Sequence, residues 1–251
     1  MDEIEVERLA DPELSAPVLV EGLPGVGHVG KLVAEHLIEE LESTPLARFY
    51  AEHFPPQVTI DEEGVATLAH AALYGVETEG QDLLVLTGNH QAGSTEGHYR
   101  LTEAFLEESE RWEVDSVYAL GGIPTGELIQ DYSVVGAVSE GPLREELETL
   151  GVEFRAEEPA GGIVGTSGLL LGLGRRRGIE AACLMGETSG YLVDPKSARA
   201  VLEVLTDRLD FEVPFDALDD RAEEMEEVIG RLQDMEEAQS PKSGEDLRYI
   251  G

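Results

Sequence analysis

A turn of closely spaced glycines is the feature best suited to chemistry. Gly25-Val26-Gly27-His28-Val29-Gly30 follows a short apolar stretch and opens a helical pattern. This G-x-G-x-x-G order can present backbone amides to an anion at a helix N-terminus. Glu52 stands roughly where a dinucleotide-binding domain keeps its ribose-binding acid. Pro24 and Gly22 nevertheless make the turn longer than that fingerprint. Gly25 to Gly30-Lys31 also has P-loop spacing, but Leu32 occupies the place of the magnesium-binding Ser or Thr. Three readings stay open: a nucleotide site, another small-anion site, or a tight strand–helix turn whose glycines allow close packing.

Other candidate residues lie at the ends of expected strands. Gly22–Gly27, Gly88–Gln91, Gly121-Gly122 and Glu187–Gly190 would gather along one edge of a parallel sheet. A ligand cleft built this way would use Gly22, Gly25, Gly27, Gly30, Gln91, Gly121, Gly122, Glu187 and Ser189. These residue types identify no reaction. His28, His36, His53, His70, His90 and His98 show no H-E-x-x-H spacing, although His90 and His98 flank a loop and could share a metal. Ser94, Ser167 and Ser189 lie near glycines but lack G-x-S-x-G context. The single cysteine, Cys183, sits in an apolar run and reads as a small buried hydrophobe. Arg175-Arg176-Arg177 is the one basic cluster, suited to solvation, to carboxylate pairing or to an oligomer contact. No catalytic residue, metal site or cofactor is assigned.

The elements that must position these residues follow from periodicity. Residues 17–21, 47–51, 82–87, 116–120, 133–138 and 181–185 read as strands, and 153–155 as a weaker one. Helices are expected near 28–42, 98–110, 142–150, 161–173 and 195–209, the last opened by Asp194 and Pro195. Strands alternating with helices predict an α/β fold with a mostly parallel sheet flanked by helices. Val58–Ile60, Val65–Ala69 and Leu73-Tyr74 predict an antiparallel meander.

Charge narrows the function classes. The chain carries 53 Asp+Glu against 17 Lys+Arg, a formal net charge of −36. Nucleic acid and anionic membrane surfaces are therefore excluded as expected partners. With 41% hydrophobic residues in patterned runs, disorder is disfavoured. A carboxylate-saturated surface fits a halophilic, cytoplasmic protein working in salt that screens repulsion to roughly 3 Å at 1 M. Residues 1–14 lack the apolar core of a secretory signal. The longest apolar candidate, Gly161–Gly174, is too short and glycine-rich for a membrane span.

Three regions are expected: one α/β domain over 1–214, an acidic amphipathic helix over 215–238, and a linker with a tail over 239–251. Ten acids fall in 216–238, yet Leu218, Ala222, Met225, Ile229 and Leu232 form one apolar seam. That seam fits either the chain's own domain or another protomer. After the polar stretch 239–246, Leu247, Arg248, Tyr249, Ile250 and Gly251 form an apolar tip with an aromatic, suited to docking.

Four ordered stretches carry a family resemblance: Glu21–Lys31 (EGLPGVGHVGK), Leu86–Gln91 (LTGNHQ), Tyr118–Gly122 (YALGG) and Gly186–Pro195 (GETSGYLVDP). Together they resemble the proteasome assembly chaperone family, whose members are often labelled ATP-grasp-like. The resemblance implies a phosphorylase/hydrolase-like α/β fold that self-associates and binds the α-subunits of the proteasome core particle. It also implies that Tyr249, third from Gly251, is similar to the tyrosine of a hydrophobic-Tyr-X tail, with Arg248 in the hydrophobic place. The leading expectation is thus a homo-oligomeric chaperone or activator that engages the proteasome α-ring through its tail. The alternative is an enzyme or ligand-binding protein that uses the glycine-rich cleft for a nucleoside or phosphorylated metabolite. A third reading is an acidic scaffold whose oligomer is an end in itself.

Overall fold

The computed structural model describes residues 4–127, 129, 131–156, 159 and 161–239, with 228–239 as backbone alone. Strands are β1 (Ile4–Arg8), β2 (Val18–Gly22), β3 (Ser43–Ala51), β4 (Val58–Ile60), β5 (Ala66–Leu68), β6 (His70–Val76), β7 (Leu83–Gly88), β8 (Ser116–Pro124), β9 (Val134–Val138) and β10 (Glu180–Thr188). Helices are α1 (Val29–Glu40), α2 (Thr95–Arg111), α3 (Gly141–Thr149), α4 (Thr166–Arg177), α5 (Pro195–Leu209) and α6 (Asp216–Gln239).

Eight strands form one sheet in the order β1-β3-β6-β7-β2-β8-β10-β9. The central four, β7-β2-β8-β10, are parallel. Both margins are antiparallel, β1-β3-β6-β7 on one side and β10-β9 on the other. The expected parallel sheet is therefore its centre, and the sheet as a whole is mixed. Part of the meander, β6, is built into this sheet. β4 and β5 form a separate hairpin. Residues 153–155 contribute only an isolated bridge, Val135 to Glu153.

Strand alternation divides the core in two. Val18, Val20, Leu83 and Val85 face α1, α3 and α5. Leu19, Leu84 and Leu86 face α2 and α4, where Phe49 meets Phe105 edge-on at 4.8 Å. The same alternation puts Glu21 on the α2/α4 face, inside the protein. β1 adds an edge that sequence reasoning missed, although Ile4 and Val6 alternate with acids. Arg8 of β1 donates to the buried Glu108 of α2 at 2.7 Å, and Arg111 pairs with the same carboxylate.

Helix boundaries follow local chemistry. Ser94 caps α2 by accepting from the Gly97 amide, and Asp194 caps α5 by accepting from the Ser197 amide. α4 begins five residues later than expected and takes the three arginines into its last turn. The delay has a cause: Gly161, Gly162 and Gly165 all adopt positive φ, which keeps 161–165 out of the helix. α6 packs its start on the domain. Leu218 and Ala222 are buried, while Lys196–Glu226, Arg199–Asp219 and Arg221–Glu39 pair across the joint. The seam residues Ile229 and Leu232, and the tail 247–251, lie outside the described side chains. Among the described residues, no helix is long and apolar enough to cross a membrane.

Candidate functional site

The glycine turn is a packing device. A Cβ on Gly22 would collide with the Gly30 carbonyl, and one on Gly30 with the Leu120 carbonyl. Gly27 takes φ +61, and its Cβ would meet Thr188 Oγ1 at 2.8 Å. Gly22, Gly27 and Gly30 thus let β2, α1 and the ends of β8 and β10 approach more closely than side chains permit. Asp194 N–H also donates to the Gly27 carbonyl, tying the turn to the start of α5. Glu52 is exposed near the end of β3, which pairs with β1 and β6 and not with β2. It is therefore not beside the turn, as a dinucleotide site requires.

Beside the turn lies a cleft of about 770 Å³, at the carboxyl ends of the parallel strands. Of the expected residues, Gly25, Gln91, Gly121 and Gly122 line it together. Gln91 Nε2 donates to the Pro24 carbonyl at 2.7 Å, which fixes one wall. Glu187 is engaged otherwise: its Oε1 accepts from Arg155 Nη1 at 2.6 Å. Ser189 is buried, and its hydroxyl accepts from the Tyr191 amide at 3.4 Å. Val26, Leu23, Ile123, Ile163, Val164 and Met185 make the lining largely apolar, and no Lys, Arg or His among the described residues belongs to it. A phosphate would find no cation among these described residues.

One buried group under this cleft, Glu21, went unmarked in the sequence, and its half-buried partner Ser167 was noted only for its neighbouring glycines. Glu21 is fully buried; its Oε1 accepts from the Leu23 amide at 3.0 Å, and its Oε2 from Ser167 Oγ at 2.8 Å. Burial pushes its carboxyl up to about 7, against the opposing effect of those two hydrogen bonds. Ser167, at the second position of α4, lines the cleft. A glutamate closing a buried apolar strand was the available signal, since a carboxyl is rarely buried without a partner. Cys183 is buried as expected and also reaches the cleft wall. Burial, with the charge of Glu21, raises its thiol pKa far above the usual range.

The histidines are spread among separate roles. His90 Nε2 contacts Gln57 Nε2 at 2.8 Å, and His36 Nε2 contacts the Pro214 carbonyl at 2.6 Å. Burial lowers the pKa of His98 on α2. No group of three or more His, Cys, Asp or Glu among the described residues is placed to hold a metal. Of the three clustered arginines, Arg177 pairs with Glu110 at 2.9 Å and also with Glu103, while Arg175 and Arg176 are exposed.

Comparison with known proteins decides the kinship. The model of the PAC2 family matches residues 19–233. The chain belongs to the PAC2 family. It is 39% identical to the uncharacterized protein MJ1210 of Methanocaldococcus jannaschii, over all of this chain and 99% of that one. Among solved structures, PbaB of Pyrococcus furiosus, described as an archaeal proteasome activator, is 36% identical with a TM-score of 0.87. That match covers 93% of this chain and 100% of PbaB. PbaA of the same organism, described as an archaeal homolog of proteasome-assembly chaperone, is 28% identical with a TM-score of 0.76. It is matched over 95% of each chain. The expected kinship with proteasome assembly chaperones is thus met, and the matched region takes in all four stretches that carried it.

Proposed function

We propose that this PAC2 protein is a homo-oligomeric chaperone or activator that binds α-subunits of the proteasome core particle through Leu247–Gly251. The observation that carries the reading is the likeness to PbaB, which extends over nearly the whole of both chains. The tail chemistry supports the mode of contact. Tyr249 offers a large apolar body with a polar tip, and Leu247 and Ile250 add apolar surface within an acidic chain. Several tails on one oligomer would raise effective concentration without new contacts. Exposed Val58, Ile60, Val65 and Leu68 on the β4–β5 hairpin support self-association, because an isolated two-stranded ribbon is weak unless covered.

The test is affinity capture in molar salt on the full-length chain, with mass spectrometry of what is retained and light scattering of the free protein. Proteasome α-subunits in the eluate and a mass several times that of one chain are expected. A monomer that retains no proteasome subunit would overturn the reading.

A further inference from the structure

Two glutamates with nearly full burial are solved in different ways. Glu108 is met by two guanidinium groups, from Arg8 and Arg111. Glu21 has no cation beside it among the described residues; its partners are one amide and the hydroxyl of Ser167. An ionised carboxyl held like this is costly to keep, so its persistence beside a cleft points to chemistry. The Ser167 side reinforces this. Ser167 stands in the first turn of α4, where amide N–H groups have no intrahelical acceptor. The N-cap is Gly165, and no side chain caps the turn. The Ser167 hydroxyl therefore lines the cleft, with the fully buried Glu21 carboxyl 2.8 Å behind it.

We propose that Ser167 is a nucleophile and Glu21 its general base, serving acyl transfer from esters with an apolar acyl group. Ser167 Oγ adds to the ester carbonyl carbon as its proton passes to Glu21. The carbonyl oxygen takes up negative charge against the first-turn amides of α4. The bond to the alcohol oxygen then breaks, and the alcohol leaves with the proton from Glu21. Water then adds to the acyl-serine carbonyl as its proton passes to Glu21; the bond to Ser167 Oγ breaks, Glu21 returns that proton to Oγ, and the carboxylic acid leaves.

The ester class follows from the cleft. Its lining is apolar and uncationic, its volume of about 770 Å³ suits a small ligand, and Val26 and Val164 extend the apolar surface to the mouth. A carboxyl titrating at about 7 is matched to a base working near neutrality. Cys183, the titratable group coupled to Glu21, stays a neutral thiol and does not compete. This proposal is independent of proteasome binding.

The test treats the full-length chain with a fluorophosphonate–biotin probe and, separately, with p-nitrophenyl butyrate, between pH 6 and 8.5. The expected result is a label located on Ser167 by peptide mass spectrometry and a rate that rises with pH through about 7. Ser167→Ala should abolish labelling. Glu21→Gln should slow it about 100-fold, within the usual range for losing a general base, while the protein still melts cooperatively. Absence of label on Ser167, or an equal rate in Glu21→Gln, would overturn the proposal. If Glu21→Gln does not fold, the wild-type pH profile decides, and a flat rate across that range overturns it.

Discussion

At the scale of single residues, what matters is where a side chain is forbidden or expensive. Gly30 packs against the Leu120 backbone, so Gly30→Ala forces β8 and α1 apart. Overpacking of this kind costs about 1–3 kcal/mol or more, and urea unfolding should show the midpoint falling accordingly. Gly25→Ala, with open space around its Cβ position, should leave the midpoint nearly unchanged. Glu21 sets a pH dependence. Its folded pKa is raised from 4.5 to about 7, so the folded protein holds a proton that the unfolded chain has released. This group therefore lowers stability as pH rises from about 4.5 to about 7, and its full cost, on the order of 3 kcal/mol, stands above that window. Comparing urea midpoints of wild type and Glu21→Gln at pH 5 and pH 8 should show the variant gaining relative stability at pH 8. An equal difference at both values would contradict the assignment. The glycines were legible because spacing marks a turn, but spacing cannot tell an anion cradle from close packing. The Glu21–Ser167 contact was illegible because it joins residues 146 positions apart.

At the scale of elements, the periodic segments read well and the irregular ones less so. α5 matched its expected span because its cap, its first-turn proline and its apolar stripe all agree. α4 did not, since its glycine-rich start favours positive φ over helix, and β1 hid behind its acids. The sheet's antiparallel margins were only partly visible: periodicity marks a strand, while its direction is fixed by connections and register. The α5–α6 joint gives a prediction that separates burial from charge. Leu218→Ala should cost about 2–5 kcal/mol, as for other fully buried leucines. Arg221→Ala, which removes an exposed pair with Glu39, should cost less than about 1 kcal/mol. Chemical unfolding of both variants checks the ranking, and equal losses would mean that charge holds the helix.

At the scale of the whole molecule, the charge of −36 sets the conditions under which everything else operates. Most described ion pairs lie at the surface, where each contributes little. Mutual repulsion among carboxylates should therefore dominate at low salt. Thermal melts from 0.1 to 2 M KCl should show stability rising steeply with screening, whereas a salt-independent melting temperature would contradict a halophilic design. In such a solvent, partner contact should rest on apolar surface, which returns attention to the tail. The most direct measurement compares the full-length chain with a variant lacking Leu247–Gly251 for binding to isolated proteasome core particles in molar salt. The full-length chain should co-sediment with the particle, and the truncated chain should not, while both keep the same oligomeric mass and melting temperature. Undiminished binding by the truncated chain would contradict the tail mechanism.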